Sequence, residues 1–194
     1  HDVIVGLGGG AAIDAAKAAG ANAGVPWVSA ATVASTDAPT SALSVVYTEK
    51  GAFESYRFYD RNPALVVVDT QLVAQAPTRF LAAGVGDALA TWIEARALRG
   101  TDATNMVGGR PTRAGTALAR LSWDILWESA LPALDAVDRD LVTPDVEAVV
   151  EQMNRENGDI IIAIGGGSVI DAAKLCSLLK GSDYTVKDLL DNPL

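Results

Sequence analysis

Residues 2–17 read DVIVGLGGGAAIDAAK, and residues 159–174 repeat the pattern as DIIIAIGGGSVIDAAK. The two segments are offset by 157 positions, and ten of their sixteen residues are identical. Each joins an apolar run (Val3–Leu7, Ile160–Ile164) to three glycines and an Ala-rich segment, which predicts a strand, a tight turn and a helix N-terminus. An isolated GGG is often a plain strand-to-helix connection, but two copies with matched flanks favour a turn whose backbone N–H groups bind phosphate.

The composition indicates a folded protein and disfavours a polyanion as its main partner. Apolar residues make up 49% of the 194 residues, enough for a substantial core, and the net charge of −9 disfavours nucleic acid or an anionic membrane as a partner. The apolar stretches are too short to span a membrane and no secretory leader opens the sequence, so we expect a cytoplasmic protein. Cys176 is the only cysteine, which excludes an internal disulfide, and His1 is the only histidine.

The order of these patterns along the chain predicts three parts. Residues 1–70 alternate short strands with an Ala-rich helix, as in a nucleotide-binding α/β domain. Residues 71–150 show helical spacing, and residues 151–194 begin a second strand–GGG–helix unit. The predicted fold class is α/β plus all-α: a truncated Rossmann-like layer, a partial helical domain and a second partial nucleotide-binding unit.

The spacing also predicts individual elements. Glycines are expected to interrupt the helices, at Gly84 and at the pair Gly108–Gly109. The predicted strands are Val3–Leu7, Pro26–Ser29, Ala42–Thr48, Phe53–Tyr59 and Leu65–Val68; the predicted helices include Ala11–Ala19, Thr143–Met153 and Thr185–Leu190.

The densest polar cluster, Thr32–Ser41, lies between two apolar strands. Its hydroxyls and amides suit a loop that holds a dinucleotide, and the alternative is an ordinary capping loop with Ser/Thr turns. Within this loop, Asp37 either caps a helix or points a carboxylate at a hydroxylated substrate. Because ligands of open α/β sheets bind beyond the carboxyl ends of the strands, we expect the loop to lie beside the Gly8–Asp14 turn.

A second constellation is GVGDALAT, residues 84–91. We expect Asp87 at the mouth of an apolar helix, where it is either an N-cap or a carboxylate for a metal or substrate. If Asp37 and Asp87 serve one polyol site, they must lie close together although 50 positions separate them. If both are caps, each should bond its own backbone N–H two or three residues on.

Residues 2 to about 150 resemble the glycerol dehydrogenase branch of the iron-containing alcohol dehydrogenase superfamily. The runs that carry the resemblance are, in order, GGGAAIDAAK, STDAPTSALSV, NPALVVVDT, GVGDALATWIEAR and NMVGGRPTRAGTALARLSWDIL. Residues from about 151 to 194 resemble the nucleotide-binding start of another branch, the iron-type alcohol dehydrogenases. The resemblance implies the dehydroquinate synthase-like architecture of that superfamily.

The resemblance also implies cofactors and residue roles. The implied cofactors are NAD and zinc or another divalent metal, and the implied reaction is oxidation of glycerol to dihydroxyacetone, a step of glycerol metabolism, by a homo-oligomer. Asp37 matches the aspartate that faces the polyol, and Asp87 matches the metal-binding carboxylate; both are implied catalytic residues. The residues that match the dinucleotide site are Gly8, Gly9, Gly10, Ala11, Ala12, Ile13, Asp14, Thr32, Val33, Ala34, Ser35, Ser41, Leu43 and Tyr47.

The sequence departs from the family pattern at the metal. A catalytic zinc or iron needs about three protein ligands, and the two histidines expected beside Asp87 are absent, since the single histidine is His1. We therefore expect an incomplete metal site in this chain. Two alternatives stay open: a related alcohol or polyol-phosphate dehydrogenase, and a catalytically inactive nucleotide-binding or oligomerisation module. The role of the second glycine run, Gly165–Gly167, also stays open.

Overall fold

The computed structural model describes residues 2–154 and 161–164. The turn at Gly165–Gly167, Cys176 and the helix expected at Thr185–Leu190 lie outside these residues. The described elements are, in chain order, β1 (Ile4–Gly8), α1 (Gly10–Ala23), β2 (Trp27–Ala31), β3 (Leu43–Tyr47), β4 (Phe53–Phe58), β5 (Leu65–Asp69), α2 (Thr70–Ala74), α3 (Thr78–Leu98), α4 (Arg113–Val137), α5 (Pro144–Asn154) and β6 (Ile161–Ile164).

Four of the described strands form one parallel sheet in the order β1-β2-β5-β6. Gly8 pairs with Ala31 at the carboxyl ends of β1 and β2, and Val68 pairs with Ala163 in β5 and β6. Parallel strands need crossover connections, which explains why the helix α1 separates β1 from β2. The strands that precede the two glycine runs thus belong to the same sheet and run in the same direction.

Two further strands, β3 and β4, form a separate antiparallel hairpin. The turn at residues 49–51 connects them, and Gly51 adopts a φ of +76° there, a conformation that glycine supplies without steric cost. Ser44 is the buried residue of β3, and all six residues of β4 are exposed.

The chain folds into two compact units. Among the described residues, the first unit comprises residues 2–32, 38–70, 154 and 161–164, and the second comprises residues 33–37 and 71–153. In the first unit, α1 packs on β1, β2 and β3, and the buried side chains include Ile13, Trp27 and Val66. The close approach of α1 to β1 depends on Gly6, because a Cβ built there would lie 2.7 Å from the Ala16 Cβ.

In the second unit, α3 and α4 pack against each other. Leu81, Val85 and Ala88 recur at helical spacing and form a buried stripe on α3. The prediction that Gly84 interrupts this region is wrong, because α3 continues through it from Thr78 to Leu98. Burial of the stripe, together with good helix formers on either side, outweighs the cost of about 1 kcal/mol for a glycine in a helix. Among the described residues, no helix combines the length and apolar character that crossing a membrane requires.

Candidate functional site

The first glycine turn joins β1 to α1 at the carboxyl end of the sheet. Gly8 has a φ of +145°, which residues with a Cβ rarely adopt, and a Cβ there would lie 2.9 Å from the Ala12 Cβ. The Thr32 N–H donates to the Gly8 carbonyl at 3.1 Å, directly after the last residue of β2. The prediction that the glycine turn and the start of the polar loop lie on adjacent strand ends is therefore confirmed.

The N-terminus of α1 begins without a side-chain cap. Gly9 is the N-cap residue, with φ −83° and ψ −174°, and its carbonyl accepts from the N–H groups of Ala12 and Ile13 at 3.0 and 3.2 Å. The first N–H groups of a helix have no acceptor within the helix, and the helix dipole favours a negative charge beside them. This turn therefore has the chemistry of a phosphate site, as the sequence predicts for residues 8–14.

Asp14 uses its carboxylate for contacts within the protein. One carboxylate oxygen pairs with the Lys17 ammonium at 3.2 Å, and the other accepts from the Val45 N–H at 3.2 Å. Its backbone carbonyl accepts from the Ser44 hydroxyl at 3.1 Å. Asp14 thus connects the second turn of α1 to the start of β3, and its predicted contact with the cofactor stays a prediction.

Lys17 is the residue of this region to which sequence reasoning assigned no role. It lies on the buried face of α1 with Ile13, Ala16 and Gly20, and its side chain is 0% exposed. The available signal was the Asp-x-x-Lys spacing, which the second glycine unit repeats at Asp171 and Lys174. A lysine on the apolar face of a helix is unusual enough to predict a specific set of acceptors.

Three other predicted cofactor residues lie between residues 41 and 47, at the end of the polar loop and in β3. Ser41 is buried, and its hydroxyl accepts from the Lys17 ammonium at 3.1 Å. Leu43 opens β3 and is partly buried, whereas Tyr47 closes the strand with 59% of its surface exposed. Their contacts with a dinucleotide stay predictions.

The second unit contains the two candidate carboxylates. The Asp37 backbone N–H donates to a carboxylate oxygen of Asp87 at 3.3 Å, so the two residues lie close together, and convergence of their two carboxylates on one cleft stays a prediction. Asp87 lies inside α3 and not at its start, so the expectation that it lies at a helix mouth and the N-cap alternative are both wrong. Both side chains are exposed to solvent. Val33, Ala34 and Ser35 precede them in the same unit, and only Ala34 of these three is buried.

The described residues do not supply a complete set of metal ligands. Within residues 2–154 and 161–164, no three His, Cys, Asp or Glu side chains come together. A catalytic zinc or iron site needs about three such ligands, and one carboxylate is a weak ligand on its own. The residues present therefore do not by themselves fit a bound metal, and the metal role of Asp87 stays a prediction.

Comparisons with known proteins agree with this geometry. Two family models, both described as iron-containing alcohol dehydrogenase, match residues 1–77 and residues 102–193. The chain belongs to the iron-containing alcohol dehydrogenase family. The first model covers the glycine turn, the Asp14–Lys17 contacts and Asp37, and the second covers nearly all of the second glycine unit.

Two curated relatives share just over half of their aligned residues with this chain. A glycolaldehyde reductase from Halobacterium salinarum is 53% identical over 150 residues, which is 77% of this chain and 41% of the relative. A glycerol dehydrogenase from Escherichia coli O6:H1 is 52% identical over 148 residues, or 76% of this chain and 40% of the relative. The chain thus spans about two fifths of the length of the curated relatives it matches.

Solved structures support the architecture. A probable glycerol dehydrogenase from Sinorhizobium meliloti 1021 aligns with a TM-score of 0.76 at 47% identity, covering 81% of this chain and 44% of that one. The glycerol dehydrogenase from Schizosaccharomyces pombe aligns with a TM-score of 0.74 at 39% identity, covering 81% of this chain and 39% of that one. The predicted fold class, a Rossmann-like layer followed by helices, is confirmed.

Proposed function

We propose that this family member is an NAD-dependent, metal-dependent polyol dehydrogenase of the glycerol dehydrogenase type. The observation that carries the proposal is the hydrogen bond from the Asp37 backbone N–H to the Asp87 carboxylate, which joins two residues 50 positions apart. Identity of about 50% to glycerol dehydrogenases over most of the chain supports the same activity. Glycerol, with hydroxyls on adjacent carbons, is the proposed substrate, and dihydroxyacetone is the product.

The proposed cofactor role belongs to the first compact unit. The open N-terminus of α1 would hold the pyrophosphate of NAD, with Gly9 and Gly10 letting the backbone approach closely. Thr32, held against the Gly8 carbonyl, would begin the wall of the same site. NAD, when bound, supplies the acceptor for the hydride that leaves the carbinol carbon.

The proposed substrate and metal roles belong to the second unit. Asp37 would orient the polyol hydroxyls, and its N–H already holds the Asp87 carboxylate in place. A divalent metal would lower the pKa of a bound hydroxyl. The described residues offer it Asp87 alone, so the proposal requires further ligands from elsewhere, and we assign no step to the metal.

A second candidate activity is the reduction of a small hydroxyaldehyde. The observation that favours it is the 53% identity to a protein named glycolaldehyde reductase. Reduction of glycolaldehyde by NADH yields a diol, so the reaction is the reverse of a polyol oxidation on a shorter substrate. Self-association of this chain, expected from the resemblance, stays a prediction.

The proposal is tested on the 194-residue chain by two measurements on one preparation. Titration with NADH, followed by energy transfer from tryptophan, should show saturable binding that ADP competes away. Zinc analysis after dialysis against a mild chelator should show far less than one ion per chain, because a single carboxylate competes poorly with water.

One result would count against this proposal, and a second would revise the expected metal content. Absence of saturable NADH binding would leave the catalytically inactive oligomerisation module as the remaining alternative. Retention of stoichiometric zinc would contradict the incomplete metal site and would point to ligands contributed by a second chain.

A further inference from the structure

Lys17 is a fully buried cation whose ammonium is hydrogen-bonded to several oxygen atoms. Its ammonium donates to the Ala38 carbonyl at 2.5 Å, the Leu43 carbonyl at 2.7 Å and the Ser41 hydroxyl at 3.1 Å. It also pairs with the Asp14 carboxylate at 3.2 Å. Burial of an ammonium is costly unless it is paired and hydrogen-bonded, and here both conditions are met.

Stability alone does not explain a buried ion pair at this position. A well-packed apolar side chain of similar volume often serves a protein core as well as a buried ion pair or better. An apolar residue cannot bind two carbonyls and a hydroxyl of one segment from a fixed point on a helix. The contacts of Lys17 therefore specify where the segment from Ala38 to Leu43 lies against α1.

Asp14 adds contacts between α1 and two further residues of the same segment, Ser44 and Val45. While one of its oxygens neutralises Lys17, the other accepts from the Val45 N–H, and its carbonyl accepts from the Ser44 hydroxyl. The two charged residues thus bond five positions of the segment from residue 38 to residue 45: two carbonyls, two hydroxyls and one N–H. Their own backbone belongs to the first two turns of α1, directly after the glycine turn.

We infer that Lys17, together with Asp14, is a positioning residue for cofactor binding: it fixes residues 38–45 on α1 and so sets the spacing between the glycine turn and the segment that carries Ser41 and Leu43. The inference rests on the proposed dinucleotide role of the glycine turn. Lys17 acts through this segment and not by contact with the cofactor, because its ammonium is enclosed by protein oxygens.

The test compares Lys17→Met with Lys50→Met, the same substitution at an exposed lysine of the hairpin turn. Amide hydrogen exchange of residues 41–45 should be about tenfold faster in Lys17→Met, the factor that corresponds to loss of one charge-assisted hydrogen bond. Amides of β1 and β2 should keep their wild-type rates. The dissociation constant for NADH should rise by about the same factor, while Lys50→Met matches the wild type on every measure.

A purely structural role for Lys17 gives a different pattern. Exchange would then accelerate equally in all strands of the first unit, or residues 41–45 would stay within about twofold of the Lys50→Met rate, and folded protein would bind NADH normally. Either result overturns the inference. If Lys17→Met does not fold, the double variant Asp14→Asn/Lys17→Met replaces it, since that variant leaves no lone buried charge and should show the same local pattern.

The hydrogen-exchange measurement also separates this inference from the proposed function. If the wild-type chain does not bind NADH, the proposed cofactor is wrong. Local acceleration at residues 41–45 then still shows that Lys17 positions the segment, whereas its absence shows that both ideas are wrong.

Discussion

The N-termini of α1 and α4 differ in whether a side chain accepts from their first N–H groups. Each helix presents N–H groups that have no acceptor within the helix. In α4, the hydroxyl of the N-cap residue Thr112 accepts from the Gly115 N–H at 3.0 Å, so a side chain of the protein caps this helix. In α1, the N-cap is Gly9, which has no side chain to offer, and the helix end is left to a ligand or to water.

The difference lies at the position where we propose that a phosphate binds. A hydroxyl cap is worth about 1 kcal/mol relative to alanine, and α1 omits it at the position where the family resemblance places a pyrophosphate. The contacts that hold α1 come instead from further along the helix, from Lys17 and Asp14. The uncapped end of α1 is thus accompanied by contacts that hold the helix further along its length. Each of the following variants changes either these contacts or the capping of α1 or α4.

The largest effect is expected when the support of α1 is disturbed. In Gly6→Ala, the new Cβ would lie 2.7 Å from the Ala16 Cβ and 3.1 Å from the Ile13 Cα, so the helix must move away from β1. We expect the free energy of unfolding to fall by about 2–3 kcal/mol, the cost of overpacking a tight contact. Urea unfolding followed by circular dichroism measures this loss.

A glycine of α3 provides the matched control. A Cβ added at Gly86 would meet no atom within 4 Å, so Gly86→Ala should stabilise the protein by about 0.5–1 kcal/mol through helix propensity. Equal losses in the two variants would mean that the β1–α1 contact is not as tight as the structure shows.

A smaller effect is expected when α1 receives the cap that α4 has. The backbone of Gly9 is extended, which serine adopts freely, so the hydroxyl in Gly9→Ser should accept from the N–H of Ala11 or Ala12. Stability should rise by a few tenths of a kcal/mol, whereas NADH affinity should fall because the hydroxyl takes the place of a phosphate oxygen. Thermal unfolding and NADH titration on the same sample measure the two changes.

The reverse change in α4 completes the comparison. Thr112→Ala removes the cap and should cost about 1 kcal/mol without any change in NADH affinity. If Gly9→Ser bound NADH as tightly as the wild type, the open end of α1 would not be the phosphate site.

Much of this contrast could be predicted from the sequence, but not all of it. The GGG runs and the alternating apolar segments predict β1 to β5 to within a few residues, because strand periodicity and turn glycines are local signals. The interruption predicted at Gly84 failed, because the packing of α3 on α4 decides the length of that helix and is not visible locally. Family motifs, and not periodicity, pointed to the meeting of Asp37 with Asp87.

The contacts of Lys17 are a second feature that local sequence patterns could not predict. Its spacing from Asp14 is plain in the sequence, but the carbonyls of Ala38 and Leu43 that it binds are backbone atoms of a segment more than twenty positions away. Backbone acceptors carry no sequence signal. The helical pattern can therefore place Lys17 on the apolar face of α1, but it cannot identify which carbonyls the ammonium binds.

The smallest effect is expected on the exposed surface of α4, which supports its own helix through side-chain pairs as well as its cap. Arg120 donates to both carboxylate oxygens of Asp124 at 2.9 and 2.7 Å, and this hydrogen bonding lowers the pKa of Asp124 below its ordinary value of 3.8. A carboxyl whose pKa is lower in the folded state stabilises the fold above its unfolded pKa, and loses this contribution as pH falls through the folded pKa. Arg120→Gln should therefore return the pKa of Asp124 towards 3.8 and reduce stability slightly at neutral pH, with the difference vanishing in acid.

Carboxyl titration by NMR measures the shift, and Arg113→Gln, at an exposed arginine that opens the same helix, should leave it unchanged. An unaltered Asp124 pKa in Arg120→Gln would show that the pair does not persist in solution, and that the Thr112 cap is then the stronger local support of α4.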